Sequence, residues 1–345
     1  MNTVIIPTFN EFENLPELVT RLRKSGYQDR ILIVDDSPDN QTAQVARDLG
    51  CEVLKRVGKR GLSSAVIDGI NTTNSYDKIV VMDADLQHPP EVVSRLFEQL
   101  NTHDFVVASR YIDGGGCEEW DLDRKVISRV ANLAARPLTS VKDAVSGFFG
   151  FTRSGLSDTK DMKVNGFKIM LELLVRGHWD SIVEVPYTFA TRKRGKSNMR
   201  WEQIRNYLFQ LVTLYFYKYR LLRFMVVGGI GTFTNLLILY LLTDLGHVYY
   251  LGSFVFAFVV AASQNYWLNR VWTFIDRSET KLGYFKYMLV AATTLVLDEA
   301  LLFTFTEFVG LWYMLSAIIA IMIAFIVRYI VSEKWIWRKT NVHAS

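Results

Sequence analysis

The sequence predicts an α/β domain followed by an all-α, four-helix transmembrane domain. Over residues 1–200, short apolar runs that suit buried strands alternate with charged segments that suit surface helices. Beyond about residue 220 the chain is overwhelmingly apolar, in four stretches of about the 20 residues that cross a bilayer. The 345 residues are enough for both domains.

The charge balance bounds the choice of partners. The formal net charge is only +4, with 39 Lys and Arg against 35 Asp and Glu, which gives no signal for nucleic-acid binding. Half of the residues are hydrophobic, and the excess lies in the C-terminal part. We therefore expect a lipid bilayer and no nucleic acid among the partners. The sequence favours no particular oligomeric state.

Three apolar segments of the first domain are predicted to be strands, and each ends in side chains that can bind a ligand. The segments and the residues that follow them are Val4-Ile5-Ile6 with Pro7-Thr8-Phe9-Asn10-Glu11, Ile31-Leu32-Ile33-Val34 with Asp35-Asp36, and Phe105-Val106-Val107-Ala108-Ser109 with Arg110. Open α/β sheets bind ligands at the carboxyl ends of their strands. Carboxylates and a cation are therefore expected at one edge of the sheet.

A fourth apolar run, Lys78–Met82, precedes the most informative stretch of the chain, Asp83–Glu91, which reads Asp-Ala-Asp-Leu-Gln-His-Pro-Pro-Glu. The run predicts a buried strand, and Pro89 begins a predicted helix because proline and acidic residues suit a first turn. Asp83 and Asp85 are therefore placed at the carboxyl edge of a parallel strand. The alternative is a solvated, Asp-rich loop.

Two carboxylates two residues apart suit a hard cation. Mg²⁺ or Mn²⁺ that bridges a substrate diphosphate takes oxygen ligands, with only one or two carboxylates from the protein. We assign Asp85 and Gln87 to this metal. Asp83 lies nearest to the strand end and suits a contact with either the metal or the substrate that donates the diphosphate oxygens.

Four motifs in residues 2–200 resemble those of the family 2 glycosyltransferases, which have a Rossmann-like α/β GT-A domain. They are Gly61-Leu62-Ser63-Ser64-Ala65-Val66, the 83–91 stretch, Val145-Ser146-Gly147-Phe148-Phe149 and Gly166-Phe167-Lys168. Within that family the chain looks like the dolichyl-phosphate mannose synthases. The resemblance implies inverting transfer of mannose from GDP-mannose to dolichyl or another polyprenyl phosphate, which then supplies mannose for glycosylation.

The same resemblance implies which residues bind the donor. The residues expected around the nucleoside are Pro7, Phe9, Glu11, Val34 and Asp36, with Asp83 and Ala84 beneath it. Lys168 and Arg192 are expected to complete the donor pocket.

The acceptor side of this reaction needs cations. A polyprenyl phosphate is already anionic at neutral pH, so it needs no general base, unlike a hydroxyl acceptor. Arg110, Arg124 and Arg194 follow predicted edges of the site, and an arginine fork matches a phosphate. Ser128, one helical turn after Arg124, can add a hydroxyl donor. Asp85, Arg110 and Arg124 are the candidate catalytic residues, although each arginine alone could also be a solvated surface residue.

Three other functions stay open. The nearest is the same reaction with UDP-glucose or another UDP-sugar and undecaprenyl phosphate. Gly61–Ser64 and Leu86–His88 favour mannose, whereas Gly195–Asn198 departs from the Gly-Glu-Ser-Lys run of many family members. A processive polysaccharide synthase is disfavoured because the sequence has no Gln-x-x-Arg-Trp element after residue 91. The membrane helices could also flip the lipid-linked sugar, in addition to catalysis.

The four apolar stretches lie at about 222–242, 248–268, 286–306 and 311–331. Lys and Arg occur before the first stretch, between the second and third, and after the fourth, whereas the other two links contain none. By the positive-inside rule, the protein is integral to the membrane with its catalytic domain and both termini in the cytoplasm. Four buried core helices are the alternative.

The membrane half repeats itself at an interval of about 63 residues. The shift aligns Arg223-Phe224 with Lys286-Tyr287, Asn235 with Asp298, Asn265 with Arg328, and Trp272 with Trp335. The pattern resembles the GtrA-like four-helix membrane domain, as two tandem two-helix repeats. Asp298 and Glu299 lie inside the third stretch, where a carboxylate is either functional or buried against other helices. Asp298 and Arg328 are not expected to pair directly, because they lie at different depths.

The segment 201–220 joins the two parts of the chain. Its apolar and aromatic residues recur at helical spacing, with bases elsewhere, and predict an amphipathic helix. This helix could lie in the membrane interface and hold the catalytic mouth against the bilayer, or it could pack on the catalytic domain. The expected domains are the GT-A catalytic domain at 1–200, the interfacial helix at 201–220 and the transmembrane domain at 221–345.

Overall fold

The computed structural model describes residues 1–58, 61–118, 120, 122–156, 168–191 and 201–339. The chain divides into two compact units, Met1–Tyr215 and Phe216–Ser345. Each unit buries hydrophobic clusters of its own.

The described strands of the first unit are β1 (Asn2–Thr8), β2 (Arg30–Asp35), β3 (Glu52–Lys55), β4 (Lys78–Val81), β5 (Phe105–Ser109), β6 (Gly116–Cys117), β7 (Phe149–Thr152), β8 (Ile182–Pro186) and β9 (Thr188–Phe189). Seven of them form one sheet in the order β3-β2-β1-β4-β7-β5-β8, and β6 pairs with β9. β7 is antiparallel to β4 and β5, and the other pairs are parallel. The carboxyl ends of β1, β2, β4 and β5 therefore share one edge of the sheet.

The described helices of the first unit are α1 (Leu15–Lys24), α2 (Gln41–Asp48), α3 (Leu62–Ile70), α4 (Val92–Gln99), α5 (Leu122–Ala135), α6 (Ile169–Arg176) and α7 (Trp201–Lys218). Alternate strand residues enter two cores. Val4 and Ile6 join the core that contains α1 and α4, whereas Ile5 and Val81 join the core that contains α3 and α6. Burial on both faces explains why these strands are almost wholly apolar. Helices on both faces of a mostly parallel sheet confirm the predicted Rossmann-like fold class.

The junction that carries the two aspartates has the predicted form. β4 ends at Val81, and α4 begins at Val92. The carbonyls of Pro89 and Pro90 accept hydrogen bonds from the amides of Val92 and Val93, which makes Pro89-Pro90-Glu91 the turn that starts the helix. Proline suits these positions because a helix start does not use their missing N–H groups.

In the described part of the second unit, the long helices are α8 (Arg220–Tyr240), α9 (Tyr250–Leu268), α10 (Gly283–Phe303) and α11 (Tyr313–Val331). Each continues into a π-helical turn of 5 residues. The resulting apolar rods are Arg220–Leu245, Tyr250–Thr273, Gly283–Phe308 and Tyr313–Ile336, all long and apolar enough to cross a membrane. The prediction of four spans is confirmed, and the rods exceed the predicted stretches because their ends include polar residues such as Asp244 and Arg270.

The second unit has an internal repeat. α10 and α11 begin and end 63 residues after α8 and α9. Equivalent aromatic pairs pack crosswise, with ring centroids 5.5 Å and 5.8 Å apart, namely Phe224 with Tyr329 and Tyr287 with Tyr266. Phe274 and Trp337, which are equivalent to each other, stack at 4.4 Å. The unit is therefore organised about a pseudo-two-fold axis near this stacked pair.

One pair of equivalent contacts differs between the repeats. In the first repeat, Asn265 packs so closely against Gly231 that any side chain at position 231 would collide with it. In the second, Arg328 Nε donates to Thr294 Oγ1 at 2.8 Å, and its Nη2 donates to a carbonyl of α10 at 3.3 Å. Asp298 lies one turn farther along α10, so Arg328 bonds to this helix short of the carboxylate.

Candidate active site

The predicted ligand-binding segments meet at the carboxyl edge of the sheet. β1 and β2 are adjacent, with Pro7 opposite Val34. β4 is the other neighbour of β1, and β5 follows beyond β7. The polar segments that continue from these strands therefore lie at one edge, and they contain Phe9, Asp36, Asp83 and Arg110.

The side expected to bind the nucleoside lies where β1 and β2 end. Pro7 and Val34 are buried, so they can contribute only shape and backbone. Phe9 is 49% exposed and offers its ring to a ligand. The Glu11 carboxylate accepts a hydrogen bond from the Asn14 side chain at 2.6 Å, which fixes its position at the same end of β1.

Arg56, which the sequence analysis did not single out, fixes Asp36, the residue directly after β2. Its Nη1 lies 3.3 Å from a carboxylate oxygen of Asp36, and its Nη2 donates to Ser64 Oγ at 2.7 Å. Asp36 also accepts a hydrogen bond from the Gly61 amide at 3.0 Å. Gly61 has a φ of 135°, which only glycine adopts readily. The Gly61–Ser64 motif thus holds Asp36 in place. The only signal for Arg56 in the sequence was its position directly after β3, the strand that pairs with β2.

The loop after β4 presents oxygen atoms at the strand end. The Asp83 side chain is 36% exposed, whereas Asp85 and Gln87 are buried. The Gln87 amide donates to Asp85 Oδ1 at 3.1 Å across Leu86, whose left-handed φ of 63° makes the turn tight. Gln87 Nε2 donates to the Ala190 carbonyl at 3.3 Å, so a metal would bind Gln87 through its amide oxygen.

These atoms suit a hard divalent cation. Two carboxylates and an amide oxygen are ligands that Mg²⁺ and Mn²⁺ accept, with the remaining positions taken by diphosphate oxygens and water. No group of three or more His, Cys, Asp or Glu side chains that could hold a metal occurs among the described residues. A metal at Asp83 and Asp85 would therefore depend on the substrate for further ligands. Ala84 is buried between the two carboxylates.

His88 lies in the Leu86–His88 run that favours mannose, but the sequence assigned it no role of its own in the site. Its Nδ1 accepts a hydrogen bond from the Asp83 amide at 3.0 Å. Burial lowers the pKa of His88 to about 4, so the ring is neutral at physiological pH and carries its proton on Nε2. Only its position inside the Asp83–Glu91 motif could have drawn attention to it.

Lys168 lies within electrostatic range of the same loop. Burial, together with the charge of Arg110, lowers the pKa of Lys168 to about 8, and Asp83 opposes this shift. A partly buried cation near Asp83 agrees with the expected donor pocket. Arg192 and Arg194 lie outside the described residues, as do Gly166-Phe167 and Gly195–Asn198.

Arg110 is held in a buried ion pair. Its Nε and Nη2 donate to the two oxygens of Asp143, each at 2.8 Å, and its backbone amide also donates to Asp143 at 2.9 Å. Burial alone would lower the pKa of Arg110, but the Asp143 carboxylate outweighs burial and raises it. The Glu184 carboxylate in turn accepts hydrogen bonds from the backbone amides of Lys142 and Asp143. The fork expected on a phosphate is therefore occupied by Asp143, and a contact of Arg110 with a phosphate through Nη1 stays a prediction.

Arg110 and Arg124 stack over the same two aromatic rings. The Arg110 guanidinium lies 5.0 Å from the ring centroid of Trp120 and 5.6 Å from that of Phe189. The Arg124 guanidinium lies 4.4 Å and 5.8 Å from the same rings. Ser128 Oγ, one turn after Arg124 on α5, accepts a hydrogen bond from the Tyr111 hydroxyl at 2.8 Å. Arg110, Arg124 and Ser128 are thus brought together, in an arrangement that can bind a small anion.

Two helices of the first unit expose apolar side chains. The exposed residues of α5 are Leu122, Val126, Val130 and Leu133, and those of α7 include Trp201, Leu208, Phe209 and Val212. The opposite side of α7 is anchored, because the hydroxyls of Tyr207 and Tyr215 donate to carbonyls of α5. Gln210 also donates to the Lys168 carbonyl at 3.0 Å. The segment predicted to be amphipathic therefore packs on the first unit and also presents an apolar face outward.

Known proteins match both units of the chain. Residues 3–159 match the glycosyl transferase family 2 domain, and residues 223–337 match the GtrA/DPMS transmembrane domain. The chain is 35% identical to a dolichol-phosphate mannosyltransferase of Pyrococcus furiosus, over 97% of this chain and 99% of the relative. It is 38% identical to a dolichol-phosphate mannosyltransferase of Saccharomyces cerevisiae, over 63% and 88% respectively. A polyprenol monophosphomannose synthase of Mycolicibacterium smegmatis is 35% identical, over 60% and 84%.

These matches confirm the resemblance that the motifs indicated. The similarity to the Pyrococcus furiosus relative spans both the α/β unit and the four-helix unit, so it covers the whole architecture and not the catalytic motifs alone. The protein is an integral membrane glycosyltransferase, and it belongs to the dolichol-phosphate mannosyltransferase family.

Proposed function

We propose that this protein transfers mannose from GDP-mannose to dolichyl phosphate or another polyprenyl phosphate, with inversion at the anomeric carbon. The observation that supports this best is the meeting of two kinds of group at one sheet edge. The Asp83–Gln87 loop supplies oxygen ligands, and Arg110 and Arg124 supply positive charge over shared aromatic rings. The relatives named as mannosyltransferases support the choice of mannose.

The donor half of the proposed site consists of the ends of β1, β2 and β4. Pro7, Phe9 and Val34 would enclose the nucleoside, and Glu11 and Asp36 would contact its polar groups. The residues that would hold the metal are Asp83, Asp85 and Gln87. Bound there, Mg²⁺ or Mn²⁺ would stabilise the charge that the diphosphate gains as its bond to the sugar breaks.

The acceptor half consists of Arg124, Ser128 and Arg110. Arg124 and Ser128 would bind the phosphate of the lipid, and Arg110 would add positive charge while Asp143 fixes its orientation. A phosphate oxygen attacks C1 of mannose as the bond from C1 to GDP breaks, and GDP leaves with the electron pair. The step transfers no proton, so it requires no general base. An α-linked donor then gives a β-linked mannosyl phosphate.

The lipid acceptor also requires access to a membrane surface. The exposed apolar residues of α5 recur at helical spacing on the side of the helix opposite to Arg124 and Ser128. That apolar side could enter the headgroup region while the other side of the same helix contacts the acceptor phosphate. The basic residues at the link 269–286 and their absence from the links near 244–247 and 307–310 support a cytoplasmic position for the first unit and both termini.

A donor screen tests the proposed function. Membranes that contain the full chain are incubated with radiolabelled GDP-mannose, UDP-glucose or UDP-GlcNAc and a polyprenyl phosphate, and counts in the lipid extract are measured. We expect counts from GDP-mannose alone, and their loss with excess EDTA. Lipid-linked counts from UDP-glucose with none from GDP-mannose would establish the alternative UDP-sugar reaction instead.

A further inference from the structure

We propose that His88 is a positioning residue for the transfer reaction, because it fixes the main chain at Asp83 and so aims the Asp83 carboxylate, which would contact the metal or the donor. This inference rests on the proposed function, in which Asp83 belongs to the donor half of the site. It also gives a role to the Val145–Phe149 motif, which neither the donor half nor the acceptor half uses.

The first observation is the hydrogen bond between the Asp83 amide and His88 Nδ1, at 3.0 Å. Asp83 follows β4 after a single residue, and this bond gives its amide an acceptor where the strand pairing has stopped. An amide can donate only to a ring nitrogen with a free lone pair, so this bond also selects the tautomer with hydrogen on Nε2. The loop from Asp83 to His88 is thereby closed at its two ends.

The second observation is that the loop is fixed in its interior as well. The Asp85 carboxylate accepts a hydrogen bond from the Gln87 amide, and the Gln87 carbonyl accepts one from the Ala190 amide at 3.0 Å. With the Asp83 to His88 bond, these contacts determine the path of the chain through both carboxylates. Removing the bond at His88 would release the Asp83 end of the loop while the Asp85 end stayed fixed.

The third observation is how tightly the His88 ring is held. The ring is 1% exposed, stacks on Phe148 at 5.0 Å, and meets the edges of Tyr187 and Phe189 at 6.0 Å and 5.6 Å. Because contacts on three sides prevent the His88 ring from moving, the ring can hold the Asp83 amide in one position.

The motif around Gly147 makes this arrangement possible. A Cβ at Gly147 would lie 3.3 Å from both Asp83 Oδ2 and His88 Cε1, closer than ordinary van der Waals contact. Ser146 Oγ donates to the Ala108 carbonyl at 2.8 Å and accepts the Phe148 amide at 3.2 Å, which fixes the stacking ring. Glycine at 147 therefore allows the close approach of histidine and aspartate, and Ser146 and Phe148 hold the histidine.

Two substitutions separate positioning from packing. His88→Phe keeps an aromatic ring on Phe148 but removes the acceptor nitrogen, whereas His88→Asn loses the ring but can place an oxygen where Nδ1 accepts the bond. The full-length variants are assayed with GDP-mannose and a polyprenyl phosphate, over a range of Mn²⁺ concentrations. Loss of a residue that orients a metal ligand typically costs about 10- to 100-fold in metal affinity or activity.

We expect His88→Phe to raise the Mn²⁺ concentration that gives half-maximal activity and to lower kcat, each by about tenfold. We expect His88→Asn to have values of both quantities close to those of the wild type. A purely structural role predicts the reverse order, with His88→Phe close to wild type and His88→Asn impaired. That reverse order, or an unchanged Mn²⁺ requirement in His88→Phe, would overturn the inference. A wild type that transfers mannose equally well in EDTA would overturn the proposed metal site and this inference together.

A third variant keeps the test decisive if His88→Phe does not fold. Gly147→Ala removes no group and instead presses on Asp83 and His88, so it should also raise the activating Mn²⁺ concentration. Binding of Mn²⁺ with GDP to the folded variant, measured by electron paramagnetic resonance, gives a readout independent of turnover. Unaltered Mn²⁺ binding and activation in folded Gly147→Ala would contradict the inference.

Discussion

In the first unit, buried polar side chains such as Asp85, His88 and Arg110 gather where strands end at one edge of the sheet, next to a half-exposed carboxylate. In the second unit, some buried polar side chains bond from one helix to another, as when Asn269 Nδ2 donates to the Tyr287 hydroxyl at 3.2 Å. Groups at a sheet edge can exchange a neighbour for a substrate, whereas groups satisfied between helices stabilise packing. We therefore expect the chemistry in the first unit and mainly a supporting role for the second.

The two repeats of the second unit qualify this comparison. The close contact of Asn265 with Gly231 in the first repeat is replaced in the second by Arg328 bonded to Thr294. The second repeat also carries Asp298 where the first has a neutral Asn. Beyond the first turn of α8, helices α8 and α9 carry no charged residue, whereas α10 and α11 carry Asp298, Glu299 and Arg328, so a role beyond scaffolding would be sought in the second repeat.

The largest effect is expected from Asp85→Ala. Removing a metal ligand forfeits several kcal/mol of charge stabilisation, which corresponds to roughly a 10²- to 10⁴-fold loss in kcat/KM. The measurement is the rate of mannosyl transfer at saturating Mn²⁺ with an unchanged circular dichroism spectrum. Asp48→Ala, which removes an exposed carboxylate of α2, is the control. Full activity of Asp85→Ala would remove this residue from the metal site.

The next effect is expected from Asp143→Ala, on stability. This change leaves the buried Arg110 guanidinium without its partner, and breaking a buried pair costs about 3–5 kcal/mol. Thermal unfolding should show a large fall in Tm, whereas Asp113→Ala, at an exposed position nearby, should leave Tm almost unchanged. The double change Arg110→Met with Asp143→Leu should recover part of the stability but no activity, because the backbone amide of residue 110 still lacks the acceptor that Asp143 provides. Recovery of activity as well would show that Arg110 serves packing alone.

A smaller effect is expected from Arg124→Ala, on the acceptor. Losing one charge-assisted contact with a phosphate costs about 1.5–3 kcal/mol, or roughly ten- to a hundredfold. The loss should appear in KM for the polyprenyl phosphate or in kcat. Arg129→Ala, which removes an exposed arginine of the same helix, should have little effect. Equal losses in the two variants would mean that the charge of α5 acts only by general attraction to the membrane.

The smallest effect is expected from Thr294→Val in the second unit. The change removes the hydroxyl that accepts the Arg328 bond, and hydrogen bonds between membrane helices contribute about 0.6 kcal/mol on average. Unfolding in detergent should detect a slight destabilisation, with mannosyl transfer unchanged. Thr232→Val, where the hydroxyl bonds within its own helix, is the matched control. A clear fall in transfer with Thr294→Val alone would show that the second repeat does more than support the fold.

The sequence predicted those parts of the molecule that depend on local pattern. Strand ends within one residue of those observed at Asp35, Val81 and Ser109, the helix start after Pro90, and the four spans follow from apolar runs and turn residues, which neighbouring side chains do not alter. Asp36, Asp83 and Asp85 could be identified because they directly follow such strands. The 63-residue interval was also visible, since equivalent residues are repeated in order.

The parts that the sequence did not reveal depend on contacts between distant segments. Arg56 joins Asp36 through a contact across 20 positions, and Asp143 reaches Arg110 across 33. Nothing local distinguishes an arginine that binds a buried aspartate from one that binds a phosphate, so the sequence did not reveal that the fork of Arg110 is bonded to Asp143. The role of His88 was missed for the same reason, because it depends on contacts with Gly147 and Phe148, which lie in the segment just before β7.

In the proposed function, the Asp83–Gln87 loop binds the donor and Arg124 acts on the acceptor. Isothermal titration of the full-length wild type, Asp85→Ala and Arg124→Ala with GDP-mannose and Mn²⁺ tests both parts at once. We predict that Asp85→Ala loses most of its donor affinity and that Arg124→Ala binds the donor like the wild type. Donor binding that is lost in Arg124→Ala and kept in Asp85→Ala would contradict both assignments.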